Sequence, residues 1–298
     1  MLLPFDLSHR ATYAVQERAL DQVAARRGIP LLGFMVSDSE DPIEPQGAAR
    51  LIVYRTSIRT SKTSRASEFS MPGFCDDIVD NYLDGTPVFL PFQPKPSVGF
   101  IGLASPPRPR FKEALKASVV IGLWRAGYRV GNVGKFLRGQ ALRRLSDIDL
   151  VDVDTQLNSG FYHFVPKAGD DQGKVKEQRN DFVENMLRNP YVLALRGNGN
   201  YSFRFFETLC VGRIPVLVEA EGRLPLDDRI DYRKHAVVIP YGERQQIAQY
   251  ISDFHAKQTP ESFEALQRSN RELWQTRLSP EGFFPTVAEN VRNTGDLT

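Results

Sequence analysis

Arg196, Arg204 and Glu207 are the residues whose types and spacing could do chemistry, within RGNGNYSFRFFETLCVGRIPVLV, Arg196 to Val218. Arginine meets phosphate oxygens in a planar fork, and a carboxylate three residues further along a helix shares its face and accepts bonds from ribose hydroxyls. The backbone N–H groups that open such a helix form an anion site. The plainer reading of the same residues is an Arg204–Glu207 surface pair beside a structural glycine turn. Neither familiar phosphate motif fits: no Gly-Lys-Ser/Thr follows the loop, and GNGNYS lacks the third glycine of the dinucleotide fingerprint.

These residues need elements to position them. Tyr191 to Leu195 (YVLAL) is an apolar run that reads as a buried strand. Gly197-Asn198-Gly199-Asn200 then reads as a loop that uses positive φ angles. Ser202 is the expected N-cap, and Phe205, Phe206 and Leu209 supply an apolar helical face. Gly212 suits the C′ position that ends the helix, and Ile214 to Val218 is a second buried strand. The whole is a βαβ step of a parallel sheet, whose loop lies at the carboxyl end of a strand, where open α/β sheets bind ligands.

The spaced pattern Ser202, Arg204, Glu207, Leu209, Gly212, Ile214-Pro215-Val216, Leu224-Pro225 and Ile230-Asp231-Tyr232 resembles the C-terminal half of the exostosin-type glycosyltransferases. VGFIG (Val98 to Gly102) followed by Arg110 is similar to that family's strand–Gly–Arg element. Arg55 to Ile78 resembles the N-terminal region of small exostosin-like enzymes. Tyr232 stands where animal members usually carry Trp, and their cysteines have no counterparts here. The resemblance implies α/β architecture of the GT-B type, with two Rossmann-like domains facing across a cleft. It also implies inverting transfer of a sugar from a nucleotide-diphosphate donor, UDP-linked by preference, to a glycan acceptor hydroxyl in surface polysaccharide or glycan synthesis. On that basis Gly102, Arg110, Arg196, Gly197, Asn198, Asn200, Ser202 and Arg204 would bind the donor diphosphate and Glu207 its ribose. No metal and no cofactor besides the donor are then expected.

The general base would come from the N-terminal half. Ile29 to Val36 reads as a strand that runs into an acidic loop holding Asp38, Glu40 and Asp41. Asp38 follows the strand directly and is the first choice, with Glu68 and Asp77 next. For the acids of that loop a solvated turn closed by Pro42 is the plainer role. Ala49 to Tyr54 is a second strand, opening into Arg55, Arg59, Lys62 and Arg65, which suit a sugar or phosphate or form a mobile basic loop. Prolines crowd Val88 to Pro96, and the boundary is placed there: residues 1–95 on the acceptor side, 96–275 binding the nucleotide-sugar, and 276–298 a helix returning to the body.

With 298 residues, 41% hydrophobic and 25% charged, the composition is globular, and a net charge of +2 favours no particular partner. Cys75 and Cys210 make neither a zinc spacing nor a disulfide framework. No run reaches the roughly 18 apolar residues of a membrane span. MLLPFDLSHR is unlike a signal peptide, so the expected location is the cytoplasm or the inner face of a membrane. Between Ala104 and Arg144 ten cations face the single acid Glu113. The plainer reading is a solvated helix balanced by Asp147, Asp149, Asp152 and Asp154; the other is contact with an anionic bilayer or a polyanion. Two rival functions stand beside the transferase. One is a noncatalytic nucleotide- or carbohydrate-binding protein of the same fold. The other is a nucleic-acid-binding protein, which the near-neutral charge disfavours, so no nucleic acid partner is expected.

Overall fold

A computed structural model describes residues 1–62, 67–158 and 171–295; Arg65 and His163 lie outside them. Two parallel sheets organise the chain. The first comprises β1 (Leu2–Asp6), β2 (Leu31–Met35), β3 (Leu51–Arg55) and β4 (Glu68–Ser70), in that spatial order. Helix α1 (Ala14–Arg27) crosses from β1 to β2, and α2 (Ile78–Tyr82) follows β4. The alternation of β3 decides the packing on either side. Leu51 and Val53 join Leu3, Ala24 and Leu31 in one core. Ile52 and Tyr54 face the other way, onto Phe283 and Val287 of the last helix, α9 (Pro280–Gly295).

The second sheet carries β5 (Ser97–Gly102), β6 (Asp152–Leu157), β7 (Tyr191–Leu193), β8 (Ile214–Glu219) and β9 (Val237–Pro240), ordered β6-β5-β7-β8-β9. Its crossovers are α3 (Phe111–Arg125) with α4 (Val133–Ser146), α5 (Gln172–Arg188) and α6 (Phe203–Cys210). Helices α7 (Ile247–Ala256) and α8 (Pro260–Leu273) follow β9. Val98, Phe100, Leu193, Val216 and Ile239 fill one core with Leu142 and Ile251. Ile101, Val192 and Val238 fill the opposite one with Phe182, Phe205 and Leu209. The chain leaves β5 to one side for β6 and returns on the other as β7, so the strand order reverses between β5 and β7. A crevice outside the carboxyl ends of those strands is where such a sheet binds ligands. Loops of the first sheet line the same cleft, which gives the GT-B-like arrangement of two α/β units face to face.

Several elements differ from the sequence reading. The alternating stretch Ile148 to Val153 (IDLVDV) reads as a strand, but the edge strand β6 runs four residues later, because an exposed, polar edge carries little apolar signal. Two short strands, β1 and β4, went unread. The basic block is two helices, and α4 is largely buried. The glycine loop has no positive φ at residues 197–200. Gly199 is there for space instead: a Cβ would sit 2.7 Å from Asp38 Oδ1 and 2.8 Å from Tyr201 Cε1.

Candidate functional site

The carboxyl ends of β5 and β7 open into a cavity of about 400 Å³. It is lined by Asp38, Gly102, Leu103, Arg138, Phe182, Leu195, Gly197, Asn198, Tyr201, Ser202, Phe203, Arg204 and Glu207. Seven residues expected at the site, Asp38, Gly102, Gly197, Asn198, Ser202, Arg204 and Glu207, therefore share one wall or another of it. Asp38 is exposed and reaches in from the loop after β2, in the other half of the molecule.

Arg204 is held from the first turn of α6. Its guanidinium lies over the rings of Phe100 (4.5 Å) and Phe182 (5.0 Å) and donates from Nη2 to the carbonyl of Ile101. Gly102 allows this approach: at φ 156° it has no side chain, and a Cβ would come within 3.0 Å of Arg204 Nη2. What comes close to Gly102 is thus the arginine that lines the cavity. Arg138, on α4 and itself buried, donates from Nε to the Gly134 carbonyl at 3.0 Å. Burial pushes its pKa down to about 10. Burial and then repulsion from Arg138 push Arg204 down to about 9, against the pull of Glu207. The two guanidiniums face one cavity and disfavour each other, which is the electrostatic condition for holding an anion.

Glu207 is buried and paired with Arg179 at 2.7 Å rather than with Arg204, so the simple i,i+3 surface pair is not what forms. Ser202 is the N-cap residue of α6, yet its side chain makes no capping bond. Tyr201 stands between this cavity and a larger one of about 540 Å³, lining both. Burial first, then the neighbouring Asp38 carboxylate, pushes its phenol up to about 12.

Three expected donor contacts, Arg196, Asn200 and Arg110, lie outside this cavity. Arg196 is buried and lines the larger cavity rather than this one, with its guanidinium engaged: it donates to Glu40 Oε1 (2.6 Å), to the Asn198 carbonyl (2.6 Å) and to Asn200 Oδ1 (3.1 Å). Asn200 is also structural, donating from Nδ2 to the carbonyl of Ala220 (2.7 Å) and from its backbone N–H to Ser57 Oγ (2.8 Å). Arg110 is exposed at the N-cap of α3, outside the cavity. Asn198 contributes its place on the wall, with its carbonyl taken by Arg196.

Two of the three candidate bases fail for the same reason. Glu68 is buried on β4 and bound to Arg55 at 2.7 Å, a fully enclosed ion pair. Asp77 caps α2 and is gripped by both terminal nitrogens of Arg271 (2.9 and 2.6 Å), outside the cavity. Burial alone would raise its pKa, but Arg271 holds it below the usual carboxylate range. Among its described residues the basic run after β3 is likewise engaged: Arg59 pairs with Glu221 (2.6 Å), and Lys62 lies 3.6 Å from Asp41. Arg138 is the site residue that sequence reasoning passed over. It stood among ten cations, and only the fold separates the one that turns inward. Among the described residues no three His, Cys, Asp or Glu side chains converge as a metal site.

No protein-family model matches the chain. Exostosin-1 of Drosophila melanogaster is 25% identical over 168 residues, covering 56% of this chain and 21% of that protein, so the chain spans about a fifth of its relative's length. Among solved structures, TarM superposes with a TM-score of 0.41 at 11% identity, over 88% of this chain and 50% of that one. A glycosyltransferase from Rickettsia africae ESF-5 gives 0.40 at 6% identity, over 95% and 81%. Over the 168 matched residues, the chain is exostosin-like in sequence.

Proposed function

We propose that this protein is an inverting glycosyltransferase that moves a sugar from a nucleotide-diphosphate donor, UDP-linked by preference, to a hydroxyl of a glycan acceptor. The observation that carries the reading is the pair of inward-facing guanidiniums, Arg138 and Arg204, at the strand-order reversal, opposite a carboxylate from the other half of the molecule. The donor diphosphate would lie between the arginines and the start of α6, with Glu207 toward the ribose.

The reaction asks little more of the protein. Asp38 accepts the acceptor's hydroxyl proton as the oxygen forms its bond to the anomeric carbon from the face opposite the diphosphate. The bond from that carbon to the phosphate oxygen breaks, and its electron pair leaves with the nucleoside diphosphate. The charge growing on that leaving group is met by guanidiniums already in place, so little reorganisation accompanies the step. In this reading the arginines supply the positive charge that a divalent cation supplies elsewhere.

The test is a thermal-shift panel of UDP, GDP, ADP and CMP, each with and without magnesium. Stabilisation by one nucleoside diphosphate, equal in both conditions, is the expected result. A panel in which none of them shifts the melting temperature would overturn the donor-site reading, and dependence on magnesium would overturn its metal-free form.

A further inference from the structure

Helix α3 has two apolar faces and a partner for only one. Ala117, Ile121 and Trp124 are buried against Val133, Phe136 and Leu137 of α4. On the other side Phe111 (83% exposed), Leu115 (55%), Val119 (53%) and Leu123 (41%) stand in solvent at a regular spacing of four. At about 100° per residue this spacing sweeps an arc of about 120°, a continuous stripe rather than scattered residues. Isolated exposed apolar residues are ordinary, whereas four in a row on one helix mark a surface that meets something.

The charges around the stripe say what that something is. From Arg108 to Arg129 there are six cations, Arg108, Arg110, Lys112, Lys116, Arg125 and Arg129, and one acid, Glu113. All six are exposed. At the same 100° spacing Lys112 and Lys116 fall at one margin of the stripe and Arg125 at the other, while Glu113 points round toward the packed side. The acids that the sequence offered as a balance are mostly engaged elsewhere. Asp149 and Asp152 bind Lys95 (2.5 and 2.8 Å), and Asp154 binds Arg188 (2.6 Å). What reaches the patch is weak: Asp147 lies 3.9 Å from Arg108, Asp41 lies 3.9 Å from Arg129, and the Arg125 guanidinium stacks over Tyr241 at 4.7 Å.

We propose that α3 is a membrane-docking helix that lies in the surface of an anionic bilayer, its Phe111–Leu123 stripe among the acyl chains and its flanking cations on the lipid phosphates. Apolar area and cationic margins on one helix fit that interface better than a polyanion, which would leave the stripe in water. The contact lies on the surface: among the described residues no helix is long and apolar enough to cross a membrane. Because α3 follows Gly102 and packs on the helix that carries Arg138, docking would bring the cavity close to the lipid surface.

The experiment is co-sedimentation of the full chain with phosphatidylcholine vesicles, with and without phosphatidylglycerol, at low and high salt. The variants are Phe111→Gln/Leu115→Gln and Lys112→Glu/Lys116→Glu, all exposed positions whose replacement should leave the melting temperature unchanged. The wild type should pellet with the anionic vesicles and not with the neutral ones. Each double variant should bind about tenfold more weakly or worse. Absence of binding to anionic vesicles would overturn the proposal. So would equal binding by the Phe111/Leu115 variant, which would reduce the effect to polyanion attraction. A solution dimer split by that variant, without vesicle binding, would assign the stripe to a second copy of the chain.

Discussion

Arg204→Met separates a residue kept for binding from one kept for folding. In the unliganded protein the guanidinium has two kinds of support: the rings of Phe100 and Phe182, and carbonyl acceptors on Ile101 and, at 3.5 Å, Leu193. Each ring contact is worth about 1 kcal/mol, and the hydrogen bonds a similar amount. Against them stands the cost of burying a charge, to which repulsion from Arg138 adds: a pKa lowered to about 9 corresponds to a few kcal/mol disfavouring the cation. These effects oppose each other at similar size. Methionine keeps the ring contact and removes the charge, so the variant should stay within about 1 kcal/mol of wild type, a shift of about 2 °C in melting temperature. Binding has no such compensation. Losing one charge-assisted fork on a diphosphate costs about 3 kcal/mol, close to a hundredfold in Kd. Calorimetric titration of the preferred nucleoside diphosphate into both proteins, with a melting curve for each, reads both numbers. A Kd within threefold of wild type would refute the assignment of Arg204 to the anion. A variant that loses most of its stability would show that the arginine is there to hold α6 to β5.

Asp38→Asn should leave donor affinity unchanged while lowering transfer by a factor of about 10² to 10⁴, as loss of a general base does; wild-type turnover in the folded variant would remove Asp38 from the chemistry. Glu68→Gln strands Arg55 in the core without its carboxylate and should cost about 3–5 kcal/mol, a fall of roughly 5–8 °C in a melting curve, and a loss below 1 kcal/mol would contradict the enclosed pair. Asp77 titrates below its unfolded value, so its stabilisation is present above about pH 4 and is lost as the pH falls through the lower folded value. Denaturation of Asp77→Asn and wild type should therefore show a stability gap that is constant from neutral pH down to about 5 and closes in acid. A gap that widened on acidification would reverse that sign. Arg110→Ala, at an exposed cap, should change nucleotide affinity less than about twofold by the same titration.

Local pattern was enough for the βαβ step around Arg204. Apolar runs of five residues on either side of a helix with Phe205, Phe206 and Leu209 on one face leave few other solutions, and Gly212, at φ 72°, ends that helix as a residue without Cβ must. Tyr232, the departure from the exostosin-like pattern, is accommodated because its hydroxyl donates to the Pro225 carbonyl at 2.8 Å while its ring packs on Phe205. The exostosin-type resemblance put Gly102, Ser202, Arg204 and Glu207, and a place just after a strand put Asp38, on the list from which one cavity is built.

Which arginine faces the cavity was beyond sequence reasoning, because a guanidinium looks the same whether it meets a ligand or a buried carboxylate. Arg196 follows β7 in the sequence as a phosphate ligand would, yet Glu40, 156 residues away, takes it. Arg138 was one cation in a run of ten until α4 turned it inward. Glu68 and Asp77 passed for bases until Arg55 and Arg271 closed on them. Side-chain type and local periodicity determine what an element is. Pairing of charges across the fold is decided by long-range packing, and it alone separates the carboxylates and arginines that stabilise the protein from those left facing the cleft.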